Sequence, residues 1–290
     1  MRVVVTGASG FVGTNFIKSC KSLEIIELDL LKNKIEEISF LGVDSVLHLA
    51  ALVHQMNDIP EEQYFKINRD LAYSVAKKAK NNGVKHFILL STVKVYGESH
   101  CNNVIYDESS TCHPKDSYGR SKHEAEKLVK SLEDINFKVA IVRSPLVYGP
   151  GVKANMLNLI KLVDKYKFLP FGCINNKRSM VYVNNLVELL KIIIEKKASG
   201  IFIAGDSKPL STTEIIKYIA RGLNKNVYLF KTPILIQKIL KILFPKYINR
   251  IYGSFVVTNK NTNDKLKFNP PYSSESGFVE MVQWYIKKKN

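Results

Sequence analysis

Val3-Val4-Val5-Thr6-Gly7-Ala8-Ser9-Gly10-Phe11-Val12-Gly13 is a β-branched run that ends in a G-x-x-G-x-x-G spacing and continues into an apolar helical pattern. It reads as a buried parallel strand that enters a tight turn and then a helix N-terminus. Glycine permits the turn and leaves no side chain between the helix end and an approaching anion. The first N–H groups of the helix and the positive end of its dipole then hold that anion. A glycine triplet alone says little, but strand, turn and helix in this order are what a dinucleotide pyrophosphate requires. Gly7, Gly10, Phe11, Val12 and Gly13 are the expected cofactor loop.

Working outward, strands are expected at 2–6, 24–28, 44–49, 86–90 and 138–142, with helices near 11–20, 61–81 and 117–132. Strands separated by helices imply right-handed βαβ units, hence an α/β, Rossmann-type doubly wound parallel sheet. Ligands of such sheets bind beyond the carboxyl ends of the strands. After Gly151 the rhythm changes to a helix at 154–166, a Pro/Gly loop at 169–172, an extended piece at 181–183, a helix at 184–196 and a strand at 201–204. Ser211-Thr212-Thr213-Glu214 then spells a capping box. Residues 1–150 are read as the cofactor domain. Residues 151–290 are read mainly as a small C-terminal substrate-binding lobe that sends at least one segment back to the sheet.

The 290 residues are 46% hydrophobic and 24% charged, an ordinary globular composition. No apolar run approaches the ~20 residues that span a bilayer. A first strand that begins beside Met1 leads to the expectation of no cleaved leader. Cys20, Cys101, Cys112 and Cys173 are scattered, which suggests a reducing cytoplasm. The net charge of +17 is spread over most helices rather than gathered in a stripe, so nucleic acid is not the expected partner. Ile234–Phe244 is apolar and basic. A helix packed on the lobe or covering an oligomer face is favoured there over one lying on a membrane. His100-Cys101 and Cys112-His113 lack zinc-site spacing, and no metal is expected.

Asp29 closes the second strand about 20 residues beyond the glycine loop, where a carboxylate accepts hydrogen bonds from a ribose diol and repels a 2′-phosphate. This favours NAD over NADP. Ser91-Thr92 ends the fourth strand, and Tyr118 and Lys122 lie four apart on one helix face. An ammonium beside a phenol is expected to lower the phenol from ~10 toward neutrality. Tyr118 would then act as a general base on a sugar hydroxyl, with Thr92 orienting the same oxygen and Lys122 also holding the nicotinamide ribose.

These motifs, with His48-Leu49-Ala50-Ala51, Val95-Tyr96-Gly97 and Arg143-Ser144-Pro145-Leu146-Val147-Tyr148-Gly149-Pro150-Gly151, resemble the extended short-chain dehydrogenases/reductases. Within them the chain is similar to the NAD-dependent epimerase/dehydratase group that acts on nucleotide sugars. The resemblance implies that Ala50, Ala51 and Asn68 line the cofactor path and that Pro145 lies near the nicotinamide. Segments 151–155, 176–183 and 210–214 look like UDP-glucose 4-epimerase-like enzymes and the 4-keto reductases that form UDP-N-acetylquinovosamine. By that likeness Arg178, Asn155 and Arg250 would meet the UDP diphosphate. A homodimer through the Tyr118 helix and a place in bacterial surface polysaccharide synthesis are also implied.

Two departures narrow the chemistry. The group's 4,6-dehydratases carry Thr-Asp-Glu, whereas Val93 and Lys94 follow Thr92 here. Valine and lysine cannot supply the acid pair that eliminates water. Leu146 stands where UDP-galactose 4-epimerases place an asparagine, which puts ordinary galactose epimerisation in doubt. The expected activity is therefore C4 chemistry on a UDP-hexose or UDP-N-acetylhexosamine, as a 4-keto reductase or a 4-epimerase. A non-nucleotide ketone or alcohol reductase, and a nonenzymatic nucleotide-sensing or RNA-binding protein, are the rival readings.

Overall fold

The computed structural model describes residues 1–53, 59–97, 104–233 and 242–289, without the side chains of 245–247 and 250. Residues 100 and 101 of the histidine–cysteine pair, and 234–241 of the apolar-basic segment, lie outside the described residues.

The valine-rich strand β1 (Arg2–Thr6) sits inside a sheet whose order is β10-β6-β4-β3-β1-β2. The others are β2 (Glu24–Leu28), β3 (Ser45–His48), β4 (His86–Thr92), β6 (Lys138–Ser144) and β10 (Gly200–Ile203), and every pairing is parallel. Helices α1 (Phe11–Ser19), α3 (Ala72–Asn81), α4 (Ser117–Lys130) and α6 (Val183–Glu195) cover its faces. That explains why β1, β3 and β4 are nearly continuous apolar runs rather than alternating ones. The chain passes from β1 outward to β2 and returns to β3 on the other side of β1. The direction of winding reverses there, and the crevice above such a reversal is where a ligand enters. Only a short turn at Ile35–Glu37 separates β2 from β3, so β2 is left as an edge strand.

Helix α2 (Glu61–Tyr64) continues through a π-helical stretch, Phe65–Leu71, into α3. Beyond β6 come β7 (Leu146–Tyr148), α5 (Ala154–Lys165), β8 (Phe168–Leu169), β9 (Met180–Tyr182), α7 (Thr212–Gly222) and β11 (Tyr228–Leu229). The C-terminal helix Ser274–Lys289 packs on α7. These elements share a second core built on Tyr148, Tyr182 and Phe278, whose rings lie 5.7 and 4.3 Å from Tyr148. The capping box at Ser211 and Glu214 is formed. A later segment, β10, pairs with β6 in the main sheet, and α6 packs with it in the same core.

Candidate active site

The glycine loop shows why each glycine is needed. Gly7 has φ +68°, and a Cβ there would stand 2.6 Å from the Ala50 nitrogen. A Cβ on Gly13 would lie 2.4 Å from the Gly7 carbonyl oxygen and 2.7 Å from that of Ala8. Gly10 is the N-cap of α1 and brings no capping side chain, while Ser9 and Gly10 face solvent. The start of α1 is thus shaped for an anion rather than for a protein cap. Gly13→Ala is expected to weaken NAD binding by ~10-fold or more, since even a 1.4 kcal/mol distortion of the loop is tenfold. Calorimetric titration with NAD checks this.

Asp29 follows β2 and stays exposed. One carboxylate oxygen accepts the Leu31 N–H at 2.9 Å and the other stands 3.9 Å from Lys32 Nζ. Ala50 follows β3 and accepts no bulk on its loop side, its N–H donating to Thr6 Oγ1 at 3.3 Å. Asn68 is buried, with its amide donating to the Leu52 carbonyl and to Ser121 Oγ, each at 3.0 Å, while its oxygen accepts the Leu52 N–H at 2.7 Å. It therefore braces the Ala50–Leu52 loop against α4. His48 is also buried. Its Nδ1 meets Thr6 Oγ1 at 3.0 Å, its Nε2 has no hydrogen-bond partner among the described residues, and burial together with the Lys122 charge lowers it to about 3.

The reacting cluster lies at the ends of β4 and β6 and on the first turns of α4. Asp116 caps α4 by accepting the Gly119 N–H at 2.7 Å. Thr92 Oγ1 accepts the Lys94 N–H at 3.3 Å and hydrogen-bonds the Tyr118 phenol. Lys94, which replaces the dehydratases' acid, pairs with the Asp116 carboxylate and lies 6.0 Å from the Tyr118 ring centroid. Pro145 is buried directly after β6.

The electrostatics differ from expectation. Burial pushes the Tyr118 phenol up to about 12, against the Thr92 hydrogen bond that lowers it and with the Asp116 charge adding to the rise. The ring is only part-buried as a residue, but its hydroxyl end is enclosed. Lys122 is itself only 2% exposed, and burial lowers its ammonium to about 8 while Glu126 opposes the shift. The lysine's charge is felt by His48, and the phenol answers to its own desolvation. The protein chain therefore holds Tyr118 as a proton donor at neutral pH.

The depressed Lys122 value has a stability sign. Below about 8 both folded and unfolded chains carry the proton, and the burial cost is fully present. Between about 8 and the ordinary 10.5 the folded chain sheds its proton first, and stability recovers. Lys122→Met is expected to stabilise the NAD-free protein by ~2–3 kcal/mol at pH 7, with the gain shrinking as pH approaches 10.5. Urea denaturation at both pH values measures it.

Beneath the cluster lies a network that the sequence reading missed. Glu126 accepts from Ser91 Oγ and from Arg143 Nη2 at 2.7 Å. Arg143 Nη1 donates to Tyr96 Oη at 2.9 Å, and that hydroxyl donates to the Asp107 carbonyl at 2.7 Å. Both charged side chains are 4% exposed. Burial would raise Glu126, but nearby His123, 3.9 Å away, and hydrogen bonds from Arg143 and Ser91 hold it below the ordinary carboxylate range. Its sequence signal was the face of α4, since Tyr118, Lys122 and Glu126 recur every four residues.

The lobe residues expected at the diphosphate lie in the second half of the chain. Asn155 is exposed in the first turn of α5. Arg178 is part-buried, bridged to Leu210 and Phe255, with Nη1 donating to the Gly253 carbonyl at 3.4 Å. Asn176 steadies that region, bonding Ile251, Gly253 and Thr212. Arg250 lies on the helix Pro245–Tyr252, and its side chain is outside the described residues. Among the described residues no cluster suits a metal ion, and no helix is long and apolar enough to cross a membrane.

Comparison with known proteins agrees with this geometry. The model of the NAD dependent epimerase/dehydratase family matches residues 3–205. A UDP-glucose 4-epimerase of Vibrio cholerae is 35% identical over 99% of this chain and 96% of its own. An N-acetyl-alpha-D-glucosaminyl-diphospho-ditrans,octacis-undecaprenol 4-epimerase of Escherichia coli O157:H7 is 29% identical over 78% of this chain and 73% of its own. The crystal structure of a Bacillus cereus UDP-glucuronic acid 4-epimerase in complex with NAD superposes with a TM-score of 0.78, at 19% identity and full coverage of both chains. The glycine cradle, the exposed carboxylate after β2 and the family match agree on NAD as the cofactor. This chain belongs to the NAD-dependent epimerase/dehydratase family of extended short-chain dehydrogenases/reductases.

Proposed function

We propose that the protein interconverts C4 epimers of a UDP-hexose or UDP-N-acetylhexosamine through a transient 4-keto sugar. The observation that carries this reading is the Thr92–Tyr118 hydrogen bond, with buried Lys122 four residues along the same helix, on a site whose Val93 and Lys94 carry no elimination acid. NAD, when bound, supplies a hydride acceptor and then a donor, together with a positive ring that favours a phenolate nearby. As the phenolate that a bound cofactor would favour, Tyr118 would take the proton from the C4 hydroxyl, and it would return that proton to the C4 oxygen once the keto sugar had turned to present its other face to the hydride. Thr92 orients the sugar oxygen. Lys122 holds the cofactor ribose and keeps a positive charge close to the proton path. Arg178, with Asn155 and Arg250, is assigned to the diphosphate, whose charge suits a forked guanidinium. The same site accommodates a sugar carried on another diphosphate, as in the lipid-linked substrate named for the E. coli relative. The product would serve surface polysaccharide assembly, and a homodimer through α4 belongs to the same reading.

A 4-keto reductase is the second reading, favoured by one residue. Leu146, half exposed at the start of β7, offers no amide to a sugar hydroxyl. Incubation with UDP-glucose, UDP-N-acetylglucosamine, N-acetylglucosaminyl-diphospho-undecaprenol and UDP-4-keto sugars, with and without reduced cofactor and read by NMR, separates the two. The epimerase converts a hydroxy-sugar with no added reductant, and the reductase consumes reduced cofactor mole for mole. Failure of both would overturn the C4 assignment.

A further inference from the structure

Strands β8 and β11 pair in parallel, Phe168 opposite Tyr228 and Leu169 opposite Leu229. Side chains alternate along a strand, and this ribbon sorts them sharply. Leu169 is buried in the lobe core and Leu229 packs against it. Phe168 and Tyr228 are 67% and 61% exposed, and their rings stack at 5.2 Å. The backbone stays extended at Tyr166, and the ladder continues to Phe230, whose N–H donates to the Leu169 carbonyl at 3.1 Å. By the same alternation Tyr166 (46% exposed) and Phe230 (50%) extend the outward face. Four large aromatics thus stand on one surface that no described residue covers.

The rim of this face is cationic. Lys165, Lys167, Lys225 and Lys231 are exposed around it. Asp164 is the only acid in 161–169 and 224–231. It is taken by Lys225 and by Lys289, the latter at 2.7 Å, which brings the Lys287-Lys288-Lys289 end of the C-terminal helix to the same rim. Tyr252 Oη reaches Thr232 Oγ1 at 3.4 Å, tying the helix Pro245–Tyr252 to the end of the ribbon, and that helix is preceded by exposed Ile242, Leu243 and Phe244.

We propose that this face seats the protein on an anionic lipid bilayer. Aromatic rings settle at headgroup depth, lysine stems lie along apolar surface, and their ammonium groups meet lipid phosphates. A second copy is disfavoured, because a two-fold contact would set the lysine rim against itself. Single-stranded nucleic acid is disfavoured because Phe168 and Tyr228 stack on each other and leave no slot for a base. Helix α5 runs from Asn155 to this ribbon over about 17 Å. The inference does not depend on the substrate proposed above.

Co-sedimentation of the full chain with phosphatidylcholine vesicles, with and without about one third phosphatidylglycerol, at about 0.1 M salt tests it. Binding is expected to the anionic vesicles and to weaken as salt rises. Phe168→Ser/Tyr228→Ser should lower partitioning by ~10-fold or more, and Lys165→Gln/Lys167→Gln/Lys231→Gln by ~100-fold. Both should leave turnover of soluble UDP-sugar unchanged. Wild-type protein that ignores anionic vesicles, or variants that still bind them, would overturn the proposal. So would a dimer that Phe168→Ser/Tyr228→Ser turns into a monomer by light scattering, or RNA binding lost in the same variants without any vesicle binding.

Discussion

Tyr118→Phe is expected to lower kcat by ~10³-fold, with melting temperature and NAD affinity near wild type. The hydroxyl is the only atom removed, and its ring keeps its edge contact with Tyr64 at 6.5 Å. Packing therefore survives while the proton carrier is lost. The enclosed hydroxyl, raised to about 12 by burial, is a proton donor at neutral pH. Thr92 alone cannot replace it, since a serine-type hydroxyl neither gains nor gives up a proton in the working range. The measurement is kcat by NMR of the epimerised sugar, with circular dichroism melting as control. Turnover within a few-fold of wild type would assign the proton to another group.

The second large effect is on stability. Glu126→Ala is expected to cost ~3–5 kcal/mol, a large share of the ~5–15 kcal/mol that holds a typical domain together. It strands the Arg143 guanidinium, 4% exposed, with only the uncharged Tyr96 and Cys112 side chains among its described partners, and frees Ser91 next to Thr92. Glu126→Gln retains the shape and part of the hydrogen bonding, so it should cost less. Because Glu126 is held below its ordinary range, its contribution is present above that range and is lost as pH falls through the folded-state value. Urea denaturation at pH 7 and in acid, on wild type and both variants, measures this. Equal stabilities at pH 7 would mean that the pair is not structural.

Much of this molecule was legible because its signals are local. β1 and β2 fall where the β-branched runs stop, and α1 begins at the residue after the last turn glycine. β4 runs two residues past the expected end and β6 likewise, because Ser91, Thr92, Arg143 and Ser144 are polar yet buried. The tertiary partners Glu126, for Ser91 and Arg143, and Tyr118, for Thr92, make much of that burial tolerable, and no window around β4 or β6 contains them. Asp44 drops out of β3 because its carboxylate accepts the Arg2 N–H at 2.8 Å. At the site, Thr92 hydrogen-bonds the Tyr118 phenol, and Lys122 is buried one turn along the same helix. The direction of the Tyr118 shift was not readable, since spacing gives the position of a lysine but not the water removed from the phenol. The bracing bonds of Asn68 were not readable for a similar reason, because its partners Leu52 and Ser121 are 16 and 53 residues away.

The most direct test of the central claim follows a hydrogen label. UDP-hexose or UDP-N-acetylhexosamine carrying deuterium at C4 is incubated with the purified enzyme, without added reduced cofactor, and the product is read by NMR. Hydride transfer to and from one bound NAD, with Tyr118 moving only the hydroxyl proton, predicts the C4 epimer with its deuterium retained at C4. Exchange of the label with solvent, or no inverted product from any sugar that binds, would contradict the account.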